Sequence, residues 1–302
     1  MRQGDLVVRK SYGGDVVFKI QGADGERVLL KGVEFRLLAD SPASDLSPFR
    51  PSEHDRRSAE LRYRINRSVR QLDMFRRGHS ETRQRAGGRL PMAEHYFEVP
   101  GTVLHLDGDP NYLRKCLLLY KELRIPAAGY YVSEPNMALA LQRLLPQVKP
   151  DIVVLTGHDG LLKQKREIDI HSLASYKNSH HFVNAVHTAR EYERSREGLV
   201  VVAGACQSHF EALLYAGANF ASSPGRVLIH ALDPLYVASK VAFTPFKDTV
   251  QLSDVLPNTL AGLEGVGGVE TRGCFRLGLP NAKWVSQNKE AGSRIGLNLN
   301  KM

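Results

Sequence analysis

The chain has 302 residues and a formal net charge of +9, with 42% apolar and 24% charged residues. This composition is typical of a globular protein with one large domain and a smaller one. No apolar run reaches the roughly 20 residues that cross a bilayer, and the N-terminus lacks the apolar core of a signal peptide. Three cysteines are too few for a disulfide framework and form no C-x-x-C pair, so we expect a reducing, cytoplasmic compartment and no metal or other cofactor.

Residues 1–48 are predicted to form a small SH3-like β-barrel. Four short β-type runs, DLVVRKS, DVVFKI, RVLLKG and EFRLLAD, are separated by turn signals at Gly13-Gly14 and Asp24-Gly25. Barrels of this kind usually dock onto other molecules and carry no chemistry of their own.

The basic surplus is concentrated in the next stretch of chain. Residues 51–90 hold 11 arginines, no lysine and 5 acidic residues, whereas the chain on either side is nearly balanced in charge. The sparse apolar residues are spaced like one face of a helix from about residue 53 to 77, and polar residues and glycines follow to residue 90. We interpret residues 49–92 as an Arg-rich helical and flexible linker.

Residues 93–302 alternate between strands and helices. The apolar runs VLHLD, AAGYYV, DIVVLTG, LVVVAGA and RVLIHA predict strands, and amphipathic stretches separate them. This alternation predicts a parallel sheet covered by helices on both faces, an α/β/α sandwich. Runs such as IVVL are apolar at consecutive positions, as strands buried on both faces require.

Polar residues and glycines stand at the carboxyl ends of three predicted strands. Sites in open α/β sheets form at that edge, so we expect these residues to meet there. They are Asp107, Asp109, Gly157, His158, Asp159, Gly160 and Cys206.

The pair Cys206 and His158 suits nucleophilic catalysis. A thiol needs a base or a lowered pKa to act as a nucleophile near neutral pH, and an imidazole can also protonate a leaving amine. Backbone N–H groups at Cys206 and around Asp159 and Gly160 are candidates for holding an oxyanion, and Gly157 lets the backbone approach a substrate. A predicted helix opens at Cys206, and its positive end would favour the thiolate.

Other readings of these residues stay open. A cysteine after an apolar strand is often a small core residue, the role that we assign to Cys116 and Cys274. His209 is either an alternative base, a metal partner or a supporting residue behind the site, and we prefer the last. The aspartates also fit a phosphoacceptor site, but the later strand ends lack the lysine that such a site needs.

The chain resembles the caspase, gingipain and clostripain superfamily of cysteine peptidases. There, one apolar strand ends in a His-Gly-type block and the next in an Ala-Cys block, with about 50 residues between His and Cys in caspases. Here His158 precedes Cys206 by 48 residues, and Asp159 departs from the pattern by standing between His158 and Gly160.

The resemblance is more specific to the YabG family of sporulation peptidases and covers almost the whole chain. The blocks that carry it are GDLVVRKSYGGDVVFKI, RLLADS, VLHLDGDPNYLRKCL, KPDIVVLTGHDG, AGACQSHFEALLYAGANFASSP, RVLIHALDP and GGVETRG. The resemblance implies a caspase-like fold and a sporulation-associated endopeptidase with Cys206 and His158 as its catalytic dyad. It further implies cleavage of spore coat and cortex-associated proteins beside Arg or Lys, in the mother cell. Because no apolar run is long enough to cross a bilayer, we expect no membrane partner.

A preference for arginine requires a carboxylate in the specificity pocket, because a buried guanidinium needs a charged, bidentate partner. The resemblance puts residues after the first strand in that pocket, so we expect Asp109 first and Asp107 second. An Arg-preferring peptidase with an Arg-rich linker is also expected to cut itself, at Arg76, Arg77, Arg85 or Arg89.

The alternative is a non-enzymatic protein that binds nucleic acid or the spore coat through the barrel and the linker. The near-neutral charge of residues 91–302 argues against nucleic acid as the partner.

Overall fold

The computed structural model describes residues 2–24, 26–50, 60, 63–78, 97–162 and 169–278. The linker arginines Arg85 and Arg89 lie outside these ranges.

The N-terminal residues form a five-stranded antiparallel sheet. Its strands are β1 (Leu6–Arg9), β2 (Val17–Asp24), β3 (Arg27–Gly32), β4 (Leu38–Pro42) and β5 (Leu46–Pro48), in the order β4-β3-β2-β1-β5. Gly13 and Gly14 both have positive φ in the turn after β1, which explains the glycine pair. The predicted antiparallel strands are confirmed, and their closure into an SH3-like barrel stays a prediction.

A six-stranded sheet forms the centre of the larger part of the chain. It contains β7 (Val103–Asp107), β8 (Ala127–Tyr131), β9 (Ile152–Thr156), β10 (Val200–Ala203), β11 (Phe220–Ser222) and β13 (Val266–Gly268), in the order β13-β11-β10-β9-β7-β8. All pairs are parallel except β11 with β13, which is antiparallel. The predicted parallel sheet is therefore confirmed with four of its five predicted strands, β7 to β10. The parallel strand β11, which the sequence did not predict, and the antiparallel edge strand β13 complete it.

Helices cover both faces of this sheet. Residues 63–78 form α1, followed by α2 (Pro110–Glu122), α3 (Met137–Val148), α4 (Ser179–Tyr192), α5 (Phe210–Ala216), α6 (Asp233–Phe243), α7 (Leu252–Val255) and α8 (Gly262–Gly265). One core cluster joins the sheet to α1, α2 and α6, and a second joins its other face to α3, α4 and α5. Two short two-stranded sheets, β12 (Thr249–Val250) with β14 (Thr271–Arg272) and β6 (Phe97–Val99) with β15 (Arg276–Gly278), lie outside it.

The Arg-rich stretch does more than connect two parts of the chain. Its helix α1 includes Arg76 and Arg77, as the apolar spacing predicts, and it buries Val69 and Leu72 in the core cluster shared with α2 and α6. Within the described residues, no helix combines the length and apolar character needed to cross a membrane.

One predicted strand is shorter than expected and another is absent, and both differences lie close to the candidate site. The run EFRLLAD enters the sheet only at Leu38, and RVLIHA forms no sheet strand. Instead, Phe35 and His230 form an isolated antiparallel bridge, and Leu37 forms a parallel bridge with Asp159. The loop between β3 and β4 therefore leaves the N-terminal sheet and crosses the carboxyl edge of the central sheet.

Candidate active site

The central sheet brings the predicted site residues to one edge. Ile152–Thr156 (β9) pairs with both Val103–Asp107 (β7) and Val200–Ala203 (β10) in parallel register, with Leu155 opposite Leu106 and Ala203. Asp107 is the last residue of β7. His158 follows the end of β9 and Cys206 follows the end of β10, each within three residues. The strand order changes direction between β7 and β9, which is where open α/β sheets form their ligand crevices.

Arg36, which the β3–β4 loop contributes, fills this crevice. Its guanidinium forms two hydrogen bonds to the Asp107 carboxylate, at 3.0 and 2.9 Å, and two to the Ala231 carbonyl, at 3.1 and 2.8 Å. Both charged side chains are completely buried. Burial opposes their charges, but the attraction between them raises the pKa of Arg36 and lowers that of Asp107, so both are charged at neutral pH.

The backbone of Arg36 is also hydrogen-bonded at this edge, at longer distances than its side chain. Its carbonyl oxygen accepts hydrogen bonds from the backbone N–H groups of Cys206 and Asp159, both at 3.3 Å, and its own N–H donates to the Ile229 carbonyl at 3.3 Å. Two N–H groups from neighbouring strand ends therefore converge on one carbonyl oxygen. This is the arrangement of donors that stabilises an oxyanion during acyl transfer.

Cys206 is fully buried beneath this segment. Its Sγ accepts a hydrogen bond from the Ile229 N–H at 3.2 Å and lies 3.4 Å from the Ile229 carbonyl. Burial raises the pKa of the thiol to about 12. The prediction that a helix opens at Cys206 is wrong, because α5 begins at Phe210 after a turn in which Gln207 has positive φ. Cys206 therefore lies before α5 and not at its first position.

His158 is also fully buried and stacks on Tyr112, with ring centroids 5.4 Å apart and the ring planes inclined by 27°. Neither ring nitrogen has a hydrogen-bond partner among the described residues, and Asp109 Oδ2 lies 3.9 Å from Nε2. Burial, with smaller contributions from Lys31 and Arg36, lowers the pKa of His158 to about 3. The imidazole and the thiol are therefore both neutral at pH 7 in this arrangement.

The two aspartates at the end of β7 have different partners. Asp109 caps α2, accepting hydrogen bonds from the N–H groups of Asn111 and Tyr112 at 2.8 and 3.2 Å. Asp107 holds the guanidinium of Arg36. Of the two aspartates, Asp107 is therefore the one that contacts a guanidinium, whereas Asp109 is engaged as a helix cap.

Asp159, which departs from the His-Gly pattern, connects three segments of the chain through hydrogen bonds to its carboxylate. Its carboxylate accepts hydrogen bonds from the backbone N–H groups of Gly160 and Asn178 and from the hydroxyls of Ser179 and Ser208, at 2.5 to 3.0 Å. Burial nevertheless raises its pKa to about 6. The side chain fixes the His158 loop against the start of α4 and against the Cys206 loop.

Two glycines of the predicted site make room for neighbouring groups. A Cβ atom at Gly157 would collide with the Glu134 carboxylate, and one at Gly160 would collide with the Leu38 carbonyl. The second contact shows that the chain after His158 is shaped to let the β3–β4 loop approach closely.

His209 has no described contact with the Arg36 carbonyl, and its contacts are with the residues around the site. It caps α5 through Nδ1, its Nε2 bonds to the His171 carbonyl at 2.9 Å, and its N–H donates to Ser179 at 2.8 Å. Of the proposed self-cleavage positions, Arg76 and Arg77 lie on α1, where both pair with Asp73.

Sequence reasoning missed four residues of the site: Arg36, Tyr112, Glu134 and Asn178. The Tyr112 hydroxyl donates to the carbonyls of Gly32 and Phe35. The Glu134 carboxylate accepts from the backbone N–H of His158 at 2.9 Å, and Asn178 Nδ2 donates to the backbone carbonyl of His158 at 2.7 Å. Of these four residues, only Glu134 has a position that the sequence could have indicated, because it follows the carboxyl end of β8. Nothing in the local sequence links Arg36 to a strand end far along the chain.

The buried imidazole predicts a pH dependence of stability. The pKa of His158 is lowered in the folded state, so the unfolded chain gains a proton that the folded chain refuses as the pH falls below about 6.5. We expect wild type to lose about 0.8 kcal/mol more stability than His158→Gln between pH 7.5 and 6.0. Urea unfolding at both pH values measures the difference, and equal losses would contradict a neutral His158.

Comparisons with known proteins identify the family of the chain. A sequence profile of the family described as YabG peptidase U57 matches residues 2–280. The sporulation-specific protease YabG of Bacillus subtilis (strain 168) is 46% identical over 286 residues, which cover 92% of this chain and 97% of that protein.

A solved structure of the isolated REC domain of RcsB from Salmonella enterica serovar Typhimurium overlaps 47% of this chain and 88% of that one, at 10% identity and a TM-score of 0.30. That similarity is too low to carry an argument. The two sequence matches span both the β3–β4 loop and the carboxyl edge of the central sheet. Their length and identity show that the chain belongs to the YabG peptidase U57 family.

Proposed function

We propose that this protein is a cysteine endopeptidase of sporulating cells that cuts the peptide bond after arginine. One observation carries the proposal: an arginine carbonyl lies on the N–H groups of Cys206 and Asp159 while its guanidinium lies on Asp107. Two backbone N–H groups and one carboxylate thus hold an arginine residue at the sheet edge whose neighbouring strand ends carry the Cys206 thiol and the His158 imidazole.

The reaction begins when the Cys206 thiol transfers its proton to His158 and the thiolate attacks the scissile carbonyl carbon. The carbonyl oxygen becomes an oxyanion on the N–H groups of Cys206 and Asp159. His158 then gives the proton to the leaving amine, and a thioester remains. His158 takes a proton from a water molecule, whose oxygen attacks the thioester, and the product carboxyl group and the thiol are released.

Asp107 is proposed as the acid that selects arginine. A guanidinium on Asp107 forms two parallel hydrogen bonds to the carboxylate, and the Ala231 carbonyl takes two of the remaining N–H groups. The Tyr112 ring adds a cation–π contact, since Arg36 Cζ lies 5.0 Å from its centroid. Lysine would keep the charge but lose the paired geometry, so arginine is the preferred residue.

The fold and biological setting are proposed on the same basis. A caspase-like fold is supported by the order β8-β7-β9-β10-β11, with His and Cys after the third and fourth of these strands in chain order. The name of the Bacillus relative supports a role in sporulation. We propose spore coat and cortex-associated proteins in the mother cell as substrates, with self-processing in the Arg-rich linker.

The products of cleavage test the proposal. Wild type incubated with an unfolded, arginine-containing protein should yield peptides that end in arginine, identified by mass spectrometry. Cys206→Ala and His158→Ala should yield none. Identical peptides from Cys206→Ala and wild type would rule out this nucleophile, and peptides without terminal arginine would rule out the pocket.

A further inference from the structure

The β3–β4 loop binds to the candidate active site as a peptide substrate would. Glu34 and Arg36 pair with the chain around His230: the Glu34 carbonyl accepts from the Ala231 N–H at 2.9 Å, and the Arg36 N–H donates to the Ile229 carbonyl. The Phe35–His230 bridge between them is antiparallel. Extended peptides commonly bind proteins by adding a strand in this way.

The binding continues past the arginine. Leu37 forms a parallel bridge with Asp159, and the Leu38 N–H donates to the Asp159 carbonyl at 2.9 Å. The bond between Arg36 and Leu37 is thus held from both sides, with its carbonyl on the two oxyanion donors. A peptide substrate cut after arginine would need the same contacts.

We propose that residues 33–37 are an intramolecular, substrate-like inhibitor of the active site, with Arg36 in the position of the substrate arginine. This inference rests on the proposed function and adds its regulation. The loop occupies the proposed arginine pocket, the two proposed oxyanion donors and the edge at Ile229–Ala231, and Cys206 is completely buried in this arrangement. An external substrate binds only after the loop has left.

The loop is built to stay in place and act as an inhibitor. Lys31 and Leu38, on either side of it, are paired neighbours in β3 and β4, so both ends remain held by the N-terminal sheet. A loop held in its bound conformation loses little entropy on binding, and its attachment gives it a high effective concentration. An external arginine peptide must compete with that concentration for the same carboxylate.

The test compares full-length wild type with Arg36→Gln, Arg36→Lys and, as a matched control, Arg27→Gln on β3. Arg27 is half-exposed and pairs with Asp40, away from the site. If the open site is a minor state, Arg36→Gln should cleave a fluorogenic arginine peptide at least about tenfold faster than wild type. Arg36→Lys keeps a charge beside Asp107 and should fold readily, with a smaller increase; Arg27→Gln should match wild type.

Thiol accessibility supplies a readout that needs no substrate. Iodoacetamide should modify Cys206 faster in both Arg36 variants than in wild type, with the buried Cys116 and Cys274 as internal references. A synthetic GVEFRLL peptide, residues 32–38, should also inhibit Arg36→Gln competitively, whereas GVEFQLL should not.

The inference is overturned if both Arg36 variants fold, cleave no faster than wild type and show unchanged alkylation of Cys206. Loss of cleavage in Cys206→Ala would then leave the proposed function standing alone. Cleavage that persists in Cys206→Ala would instead overturn the proposed function, and the inhibitor role with it.

Discussion

Replacement of Cys206 by alanine is expected to lower kcat/KM toward an arginine peptide by about 10⁴-fold or more. The thiolate is the atom that forms the covalent bond, and enzymes that lose their nucleophile retain only the contribution of substrate binding and the oxyanion donors. The proposed arginine pocket at Asp107 does not include Cys206 Sγ, so we expect KM to change far less than kcat.

Cys274→Ala is the matched control for this experiment. Cys274 is also a buried thiol whose pKa burial raises to about 12, but it lies beside Gly101, before the start of β7, at the opposite edge of the sheet. It should keep wild-type kcat/KM. Equal losses in both variants would mean that a buried thiol is needed for folding, and not for chemistry.

The second large effect is expected in the stability of the Arg36–Asp107 pair. Removal of one partner from a buried ion pair leaves the other charge without compensation, which costs about 3–5 kcal/mol. Arg36→Met and Asp107→Leu should each lower the free energy of unfolding by that amount. The double variant leaves no buried charge, so its loss should fall short of the sum by about 3 kcal/mol or more.

Urea unfolding of wild type, the two single variants and the double variant measures this coupling. The exposed pair Arg27 and Asp40 offers a control cycle, since exposed ion pairs contribute little to stability. Additive losses at Arg36 and Asp107 would show that the pair is solvated in solution and that the loop is not seated on the sheet.

Much of the fold follows from local patterns in the sequence. The apolar runs of β7, β9 and β10 and the helices between them are confirmed because both the periodicity and the capping residues act over a few neighbours. The proline and the aspartate at the start of α2 are an example: Pro110 lies at the first turn and Asp109 caps it. Errors arose where a segment pairs with a distant partner, as RVLIHA does with the β3–β4 loop.

The candidate site divides in the same way. Parallel strands end at a common edge, so His158 and Cys206 could be assigned to one site from their positions after apolar runs. The sequence-based preference for Asp109 over Asp107 had no such support, because it depends on which carboxylate contacts a guanidinium in the crevice and which caps a helix.

The sequence by itself determined the strand and helix alternation, the strand ends that carry thiol and imidazole, and membership of a peptidase family. Only the tertiary structure decided what fills the crevice. Arg36 and Asp107 are 71 residues apart in the chain. Their pairing depends on how the N-terminal sheet packs against the central one, because a buried guanidinium is stable only where a carboxylate meets it.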